Sequence, residues 1–399
     1  MRSITVLPVV DNGWSCDRLG GLDAEVQALE SLFPMTDHVV LDRVKRLIDE
    51  DDAQIVVGLS GGKDSICCCL MLWELGIPFT AVFADTKWES KLTYAYVRWF
   101  CDEYRIPLVV VSNEKFGGGL VELIKHKGCF PKMKRRFCTE ELKENPIAEY
   151  IESLKAEGKK VISVAGIRAA ESQQRAKMQT WSEHDSRFGC SVWHPIFSWS
   201  YEDTIAMHHR HGCKPNPLYL LGAERVGCFP CVFGKKSELR IVSILEPDRI
   251  GVVRQLESDI DESVRQSKGD KYEERNYPTS TMFWMSVNGQ SRPALIDDVI
   301  QRSWVPANAK ERALISDSLA SQAAAAQKRW GFSLEIPGLD LKQEFVESDE
   351  AVHADYSHRY KTVKDLKAES ELVSARSRSQ AKDVPRSRLV AAKSLGLGD

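Results

Sequence analysis

No stretch of this 399-residue chain approaches the roughly 18 consecutive apolar residues that a membrane-spanning helix needs. The opening MRSITVLPVVDNGW lacks a signal peptide's long apolar segment, so a cytoplasmic protein with no membrane partner is expected. Net charge is scarce too. Fifty-four Lys and Arg against 57 Asp and Glu leave −3, so no global field points to nucleic acid and any basic surface must be local. No internal repeat is visible, and no cysteine follows Cys231. The 11 cysteines are an odd number, clustered in the middle of the chain, which argues against a disulfide framework. Hydrophobic content of 43% and charged content of 28% are ordinary for a globular protein. The length allows a full α/β core plus a smaller domain.

The stretch that organises the chain is 55–65, IVVGLSGGKDS. Ile55, Val56 and Val57 read as a buried strand of a parallel sheet, and 66–75 (ICCCLMLWEL) as an apolar helix. Between them, Ser60, Gly61, Gly62, Lys63, Asp64 and Ser65 form a turn suited to phosphate. Two glycines let the backbone come close, and the helix start offers free N–H groups and a positive dipole. Lys63 adds a cation, and Asp64 is a candidate Mg²⁺ ligand. The turn is not a Walker A loop, because only three residues separate Gly58 from Gly62 and Asp64 follows the lysine. It resembles the SGGxDS loop of the PP-loop ATP pyrophosphatases, which implies ATP as ligand and cleavage between its α and β phosphates.

Residues 1–50 read as a helical lead-in, with helices over 22–32 and 38–48. Strands follow at 78–83 and 107–111 around a helix at 92–104, then a helix at 140–154 and a strand at 161–164. Strands spaced by such helices predict a doubly wound parallel α/β sheet over 51–245, with ligands beyond the strands' carboxyl ends. Asp85 falls at that edge, as a helix N-cap or as a nucleotide or metal ligand. Arg168 and Arg175, just after the 161–164 strand, are placed to fork onto phosphate or sulfate oxygens, with surface ion pairing as the plain alternative. Residues 125–136 (KHKGCFPKMKRR) carry six Lys/Arg and no acid, a run that wants an anionic partner.

A second set of segments resembles the phosphoadenosine-phosphosulfate (PAPS) reductase family. GIRAAESQQRA at 166–176, RFCTEELK at 136–143, His194-Pro195-Ile196 with Trp199, Pro215–Tyr219, and RVGCFPC at 225–231 stand in that family's order. The resemblance implies an adenine nucleotide alpha hydrolase-like (HUP-type) fold and places Arg168 and Arg175 in the nucleotide site with Lys63 and Asp64.

Cys228 and Cys231 form a Cys-x₂-Cys that alone could be redox-active, zinc-binding or cluster-binding. Cys67, Cys68 and Cys69 read as core filler. By resemblance to iron–sulfur relatives, Cys138 joins Cys228 and Cys231 around a 4Fe-4S cluster. Cys213 is the first choice for fourth ligand, ahead of Cys190 and Cys129, and zinc is the alternative ion. The intact SGGKDS and the absence of a cysteine near the C-terminus depart from the cluster-free PAPS reductases. They point to relatives similar to DNA phosphorothioation and tRNA thiolation enzymes.

The expected activity is therefore an ATP-dependent sulfurtransferase. It adenylylates an acceptor on nucleic acid, with Lys132, Lys134, Arg135 and Arg136 lining the path. A cysteine desulfurase is the kind of sulfur donor implied. A PAPS or APS reductase, and a non-catalytic nucleotide- or DNA-binding module in phage defence, are the alternatives. Residues 246–345 read as a helical extension, with helices over 250–266, 297–304 and 309–330, and with Trp284 either packed or stacking on a base. Residues 346–399 read as a disordered basic tail.

Overall fold

A computed structural model describes residues 4–6, 37–132, 135–268, 281–287, 290–304 and 318–334. All of them fall in one compact unit, Met1–Phe345. The helix predicted over 22–32, Lys134, residues 309–317 and the tail from 346 lie outside the described residues.

The chain enters by strand β1 (Ile4–Val6) and helix α1 (His38–Asp51). It then winds β2 (Gln54–Gly58), α2 (Lys63–Glu74), β3 (Thr80–Ala84), α3 (Lys91–Glu103), β4 (Leu108–Val111) and α4 (Leu120–Lys127). A helical turn at Phe137–Thr139 and a π-wound segment, Glu140–Glu144, lead straight into α5 (Asn145–Ala156). Next come β5 (Val161–Val164), β6 (Trp181–Ser182), β7 (Ser191–Trp193), α6 (Tyr201–Arg210) and α7 (Pro217–Leu220). The extension supplies α8 (Lys236–Leu245), α9 (Pro247–Lys268), the hairpin β8 (Phe283–Val287) and β9 (Gln290–Ala294), α10 (Ile296–Trp304) and α11 (Ser318–Trp330).

The main sheet runs β1-β4-β3-β2-β5-β7-β6, parallel throughout except at its two edge pairs. This is the doubly wound α/β fold expected. Ile55 and Val57 face one helical layer, packed with Val40, Leu41 and Val44 of α1 and the apolar length of α2. Val56 faces the other, with Ile151 of α5 and Val161. Burial on both faces is why β2 reads as an unbroken apolar run rather than an alternating one. From β2 the chain winds out through β3 to β4, then returns to β5 on the other side of β2. That reversal opens a crevice beyond the carboxyl ends of β2 and β5.

The predicted helix at 66–75 begins earlier, at Lys63, so Lys63 and Asp64 belong to its first turn. Cys67, Cys68 and Cys69 are fully buried in the core, as filler should be.

Candidate active site

The phosphate loop leaves β2 and turns through Gly61, whose φ of +71° only glycine adopts freely. The loop is sewn by its own serines. Ser60 N–H donates to Ser65 Oγ at 3.2 Å, Gly62 N–H donates to Ser60 Oγ at 3.3 Å, and Ser65 Oγ donates to the Gly62 carbonyl at 2.9 Å. Asn216 fixes it from outside, donating Nδ2 to the Gly61 carbonyl and to Thr93 Oγ1, each at 3.2 Å. Tyr219 accepts the Lys63 N–H at 3.2 Å on its hydroxyl. The second wall comes from the β5 end. A Cβ on Gly166 would lie 2.6 Å from the Asp64 carbonyl carbon and 2.7 Å from Ser65 N, so only glycine lets this strand end meet the start of α2.

Asp64 sits between two cations. Its Oδ2 accepts from Lys63 Nζ at 2.6 Å and its Oδ1 from Arg168 Nε at 2.5 Å. Lys63 and Arg168 are both buried. Arg168 also donates to the Trp199 carbonyl at 3.5 Å, and its backbone N–H donates to Glu171 at 3.0 Å. Each Asp64 carboxylate oxygen thus meets one cation. The approach of Arg168 is a contact that sequence spacing alone does not show. Arg175 is paired with Glu171 and stands at the rim, half-exposed. Asp85 lies at the end of β3, where its Oδ1 accepts from Lys87 N at 2.8 Å and Tyr94 Oη at 2.6 Å.

The second pole is built from cysteines. Cys138, Cys228 and Cys231 stand close enough for each thiol to feel the charge of another, around the buried Glu89 and the Lys143 ammonium. Lys143 Nζ donates to Glu89 Oε1 at 3.3 Å, and the Cys228 thiol lies 4.0 Å from the same oxygen. Burial pushes the Cys228 thiol up to about 12, with Lys143 working against it and Glu89 and the other two thiols adding to it. Cys138 is raised as well, by burial and then by Cys231. Lys143 is held firmly as a cation, because Cys228 and Glu89 outweigh the effect of its burial. Glu89 and Cys228 form a backbone bridge.

Cys213 is not part of this group, which corrects the expected four-cysteine set. It is buried in the core beside Tyr96, its Sγ 3.9 Å from the Tyr96 hydroxyl, and burial pushes its thiol up to about 11. Cys190 packs in the opposite layer with Val56 and Val161. Among the described residues no cluster of three His, Cys, Asp or Glu side chains is arranged to hold a metal ion. Of the expected ligands, Cys138, Cys228 and Cys231 come together, and Cys213 and Cys190 do not join them.

The family model for the phosphoadenosine phosphosulfate reductase domain matches residues 54–233, which span both poles. An uncharacterised 37.8 kDa protein of Escherichia phage 186 is 34% identical over 247 residues, covering 51% of this chain and 74% of that protein. The chain belongs to the PAPS reductase domain family. An adenosine 5'-phosphosulfate reductase of Chelativorans sp. is 24% identical over 53% of this chain and 82% of its own. A phosphoadenylyl-sulfate (PAPS) reductase from Candida auris, solved as a phosphate complex, aligns at a TM-score of 0.39 with 18% identity, over 54% of this chain and 96% of that one. No helix among the described residues is long and apolar enough to cross a membrane.

The extension beyond the family domain braces both poles. Arg249 of α9 donates to the Phe229 carbonyl at 3.0 Å and the Glu89 carbonyl at 2.6 Å, and lies 4.9 Å over the Trp88 ring. Trp330 of α11 is buried against Tyr219 and Tyr201. Sequence reasoning missed Glu89, Tyr201 and the two braces, and quoted Gly166 without its close approach to Asp64 and Ser65. Tyr219 had a signal, since it closes the Pro215–Tyr219 family segment, whereas Glu89 lies in none of the segments that carry the resemblance.

Proposed function

We propose that this chain is a cytoplasmic PP-loop ATP pyrophosphatase that activates an acceptor oxygen for sulfur transfer, with the acceptor on nucleic acid. The observation that carries the reading is the continuity of the two poles. A Cβ on Gly62 would lie 3.9 Å from the Val226 carbonyl, and the same strand of chain reaches Cys228 two residues later. A nucleotide held at the start of α2 therefore has thiols a few residues along its wall. The described cysteines all carry free thiols, which suits a reducing compartment.

In the reaction, an acceptor oxygen attacks the α-phosphorus of ATP and the bond to the bridging β-phosphate oxygen breaks. Pyrophosphate leaves against the amides of α2's first turn and the Lys63 and Arg168 cations, which are already in place for the charge. A sulfur nucleophile then displaces AMP, forming the carbon–sulfur bond as the carbon–oxygen bond breaks. The sulfur is supplied from outside the chain, by a persulfide-bearing donor of the cysteine desulfurase kind. Its outer sulfur makes the carbon–sulfur bond and stays joined to the donor by the S–S bond. Cys228 attacks the donor sulfur and frees the thiolated product. Cys231 then closes on Cys228 and frees the donor, and an external dithiol reductant reopens that disulfide. An iron–sulfur cluster on four cysteines is not part of this reading, and no step is routed through a metal.

Nucleic acid is favoured by an unbalanced basic surface beside the cysteines. Lys132, Arg135, Arg136 and Arg225 are exposed and have no carboxylate partner among the described residues. Arg136 and Arg225 both lie over the Phe233 ring, at 5.0 and 5.7 Å, and Lys132 lies 5.4 Å over Trp284, whose side is 49% exposed. Cations alternating with ring faces suit a phosphate backbone with stacked bases.

The test is pyrophosphate release from ATP by the full chain, with and without tRNA or DNA. Lys63→Ala should abolish it. A reductase is the second reading, favoured by the Chelativorans relative and by Cys228 and Cys231 as free thiols. Two thiols closing to a disulfide would pass two electrons to the sulfate sulfur and release sulfite. Sulfite from PAPS or APS without ATP consumption would establish that reading instead, and turnover of neither substrate would leave the binding-module alternative.

A further inference from the structure

Helix α11 lies outside the matched family domain, yet its last residue packs on Tyr219 and Tyr201, which stand beside the phosphate loop. Trp330 is buried, with its ring 5.3 Å from Tyr219 and 6.1 Å from Tyr201, centroid to centroid. Tyr219 is the residue that accepts the Lys63 N–H. The anchor thus sets the neighbouring Arg329 at the start of α6. The Arg329 guanidinium lies 4.1 Å over the Tyr201 ring, and Lys63 Nζ lies 5.1 Å over the same ring. One aromatic ring therefore carries two cations, one from the core and one from the extension.

We propose that Arg329 and Lys63, set on Tyr201, form a subsite for the outer phosphates of a nucleoside triphosphate, so that α11 selects triphosphate over monophosphate. The inference rests on the nucleotide reading of the phosphate loop. Charge argues for it. Lys63, Arg168 and Arg329 face Asp64 and Glu202, an excess of one positive charge before the amides of α2's first turn are counted. Arg329 and Glu202 are 3.7 Å apart with side chains 58% and 76% exposed, too long and too wet a pair to hold the guanidinium back from a polyphosphate. A single phosphate is served by the loop amides alone. The phosphates beyond it need cations further out, and a guanidinium presents two parallel N–H groups to such oxygens.

The experiment is calorimetric binding of MgATP, inorganic pyrophosphate and AMP to the full chain and to Arg329→Gln, Arg329→Lys and Lys63→Ala. Arg329→Gln should weaken ATP and pyrophosphate by about tenfold or more, while AMP stays within about twofold. Arg329→Lys should recover part of the loss, which a merely structural role for this exposed side chain would not predict. Equal losses for AMP and ATP, or no loss in Arg329→Gln, would overturn the subsite. ATP binding unchanged in Lys63→Ala would instead sink the nucleotide reading, and the subsite with it.

Discussion

The two poles of the site are built in opposite ways. At the phosphate pole, nearly every polar group is committed before any ligand arrives: Asp64 to Lys63 and Arg168, the loop serines to each other, and Tyr219 and Asn216 to the loop backbone. At the cysteine pole the scaffold is tied as well, Glu89 accepting from Thr86, Tyr94 and Lys143 and Arg249 donating to the Phe229 and Glu89 carbonyls. The thiols are not: Cys228 stands a loose 4.0 Å from Glu89. Rigidity suits a group that must meet a fixed phosphate geometry without reorganising. A looser set of thiols suits sulfur, which has to be loaded, exposed and attacked.

Glycine substitutions should show the contrast most strongly. In Gly166→Ala the new methyl would collide with the backbone of Asp64 and Ser65, so either β5 or the start of α2 must move. We expect a loss of roughly 2–4 kcal/mol in unfolding free energy, together with loss of nucleotide binding. A Cβ on Gly227, at the cysteine pole, would meet nothing within 4 Å. Gly227→Ala should stay within about 0.5 kcal/mol of the parent. Chemical denaturation of both variants measures this, and equal costs would erase the distinction between a rigid and a loose pole.

Acid and alkali should loosen different ends. His208 is wholly buried behind the phosphate pole, 5.5 Å from the Trp330 ring, and burial pushes it down to about 4. A base with a lowered folded value contributes stability above its ordinary 6.5 and loses it as the pH falls toward 4, by about 3 kcal/mol in all. Glu257 of α9 is buried beneath the extension, accepting from Met282 N at 3.3 Å and Ile296 N at 3.0 Å, and burial pushes it up to about 7. The sign reverses for this acid. Its stability is present below 4.5 and is lost as the pH rises through 7, by a similar amount of about 3 kcal/mol. Melting curves from pH 4 to 8 should show His208→Phe without the acid limb and Glu257→Gln without the alkaline one. A single limb removed by both variants would contradict separate support for the two ends.

What could be read from the sequence follows the same division. The phosphate loop is one contiguous run whose chemistry needs only its own backbone, so residues 55–65 disclosed strand, turn and helix together. The parallel sheet was legible because β2 and β5 are apolar on both faces. The cysteine pole draws on residues 138, 143, 89 and 228–231, which only the folded chain brings together. Cys213 misled for that reason. Its place in the chain leads toward Cys228, but the turn after α6 drives it into the core against Tyr96, where an apolar thiol is at home. Arg168 was found and its partner was not, because a 104-residue separation carries no spacing signal.

Cys213 and Cys228 make that lesson measurable. Truncating a fully packed core thiol in Cys213→Ala should cost roughly 1–2 kcal/mol and leave sulfur transfer intact. Cys228→Ala should leave ATP binding and stability nearly unchanged and abolish sulfur transfer or sulfite formation. If Cys213→Ala also ended the sulfur chemistry, a fourth thiol would have to be restored to the cysteine pole.

The smallest effect concerns Lys143. It works against the burial of Cys228, and together with Thr139 and Arg136 against that of Cys138, holding each thiol lower than burial alone would set it. Lys143→Met keeps the length of the side chain and removes the charge, so both thiols should rise further and their thiolate fractions fall. Each unit of rise is a tenfold smaller thiolate fraction, so alkylation at pH 8 should slow by about three- to tenfold at Cys228 and less at Cys138. Mass spectrometry after timed iodoacetamide labelling reads each cysteine separately. Faster labelling at Cys228 would mean that the lysine shields the thiol rather than tunes it, and the cysteine pole would then be the more closed of the two.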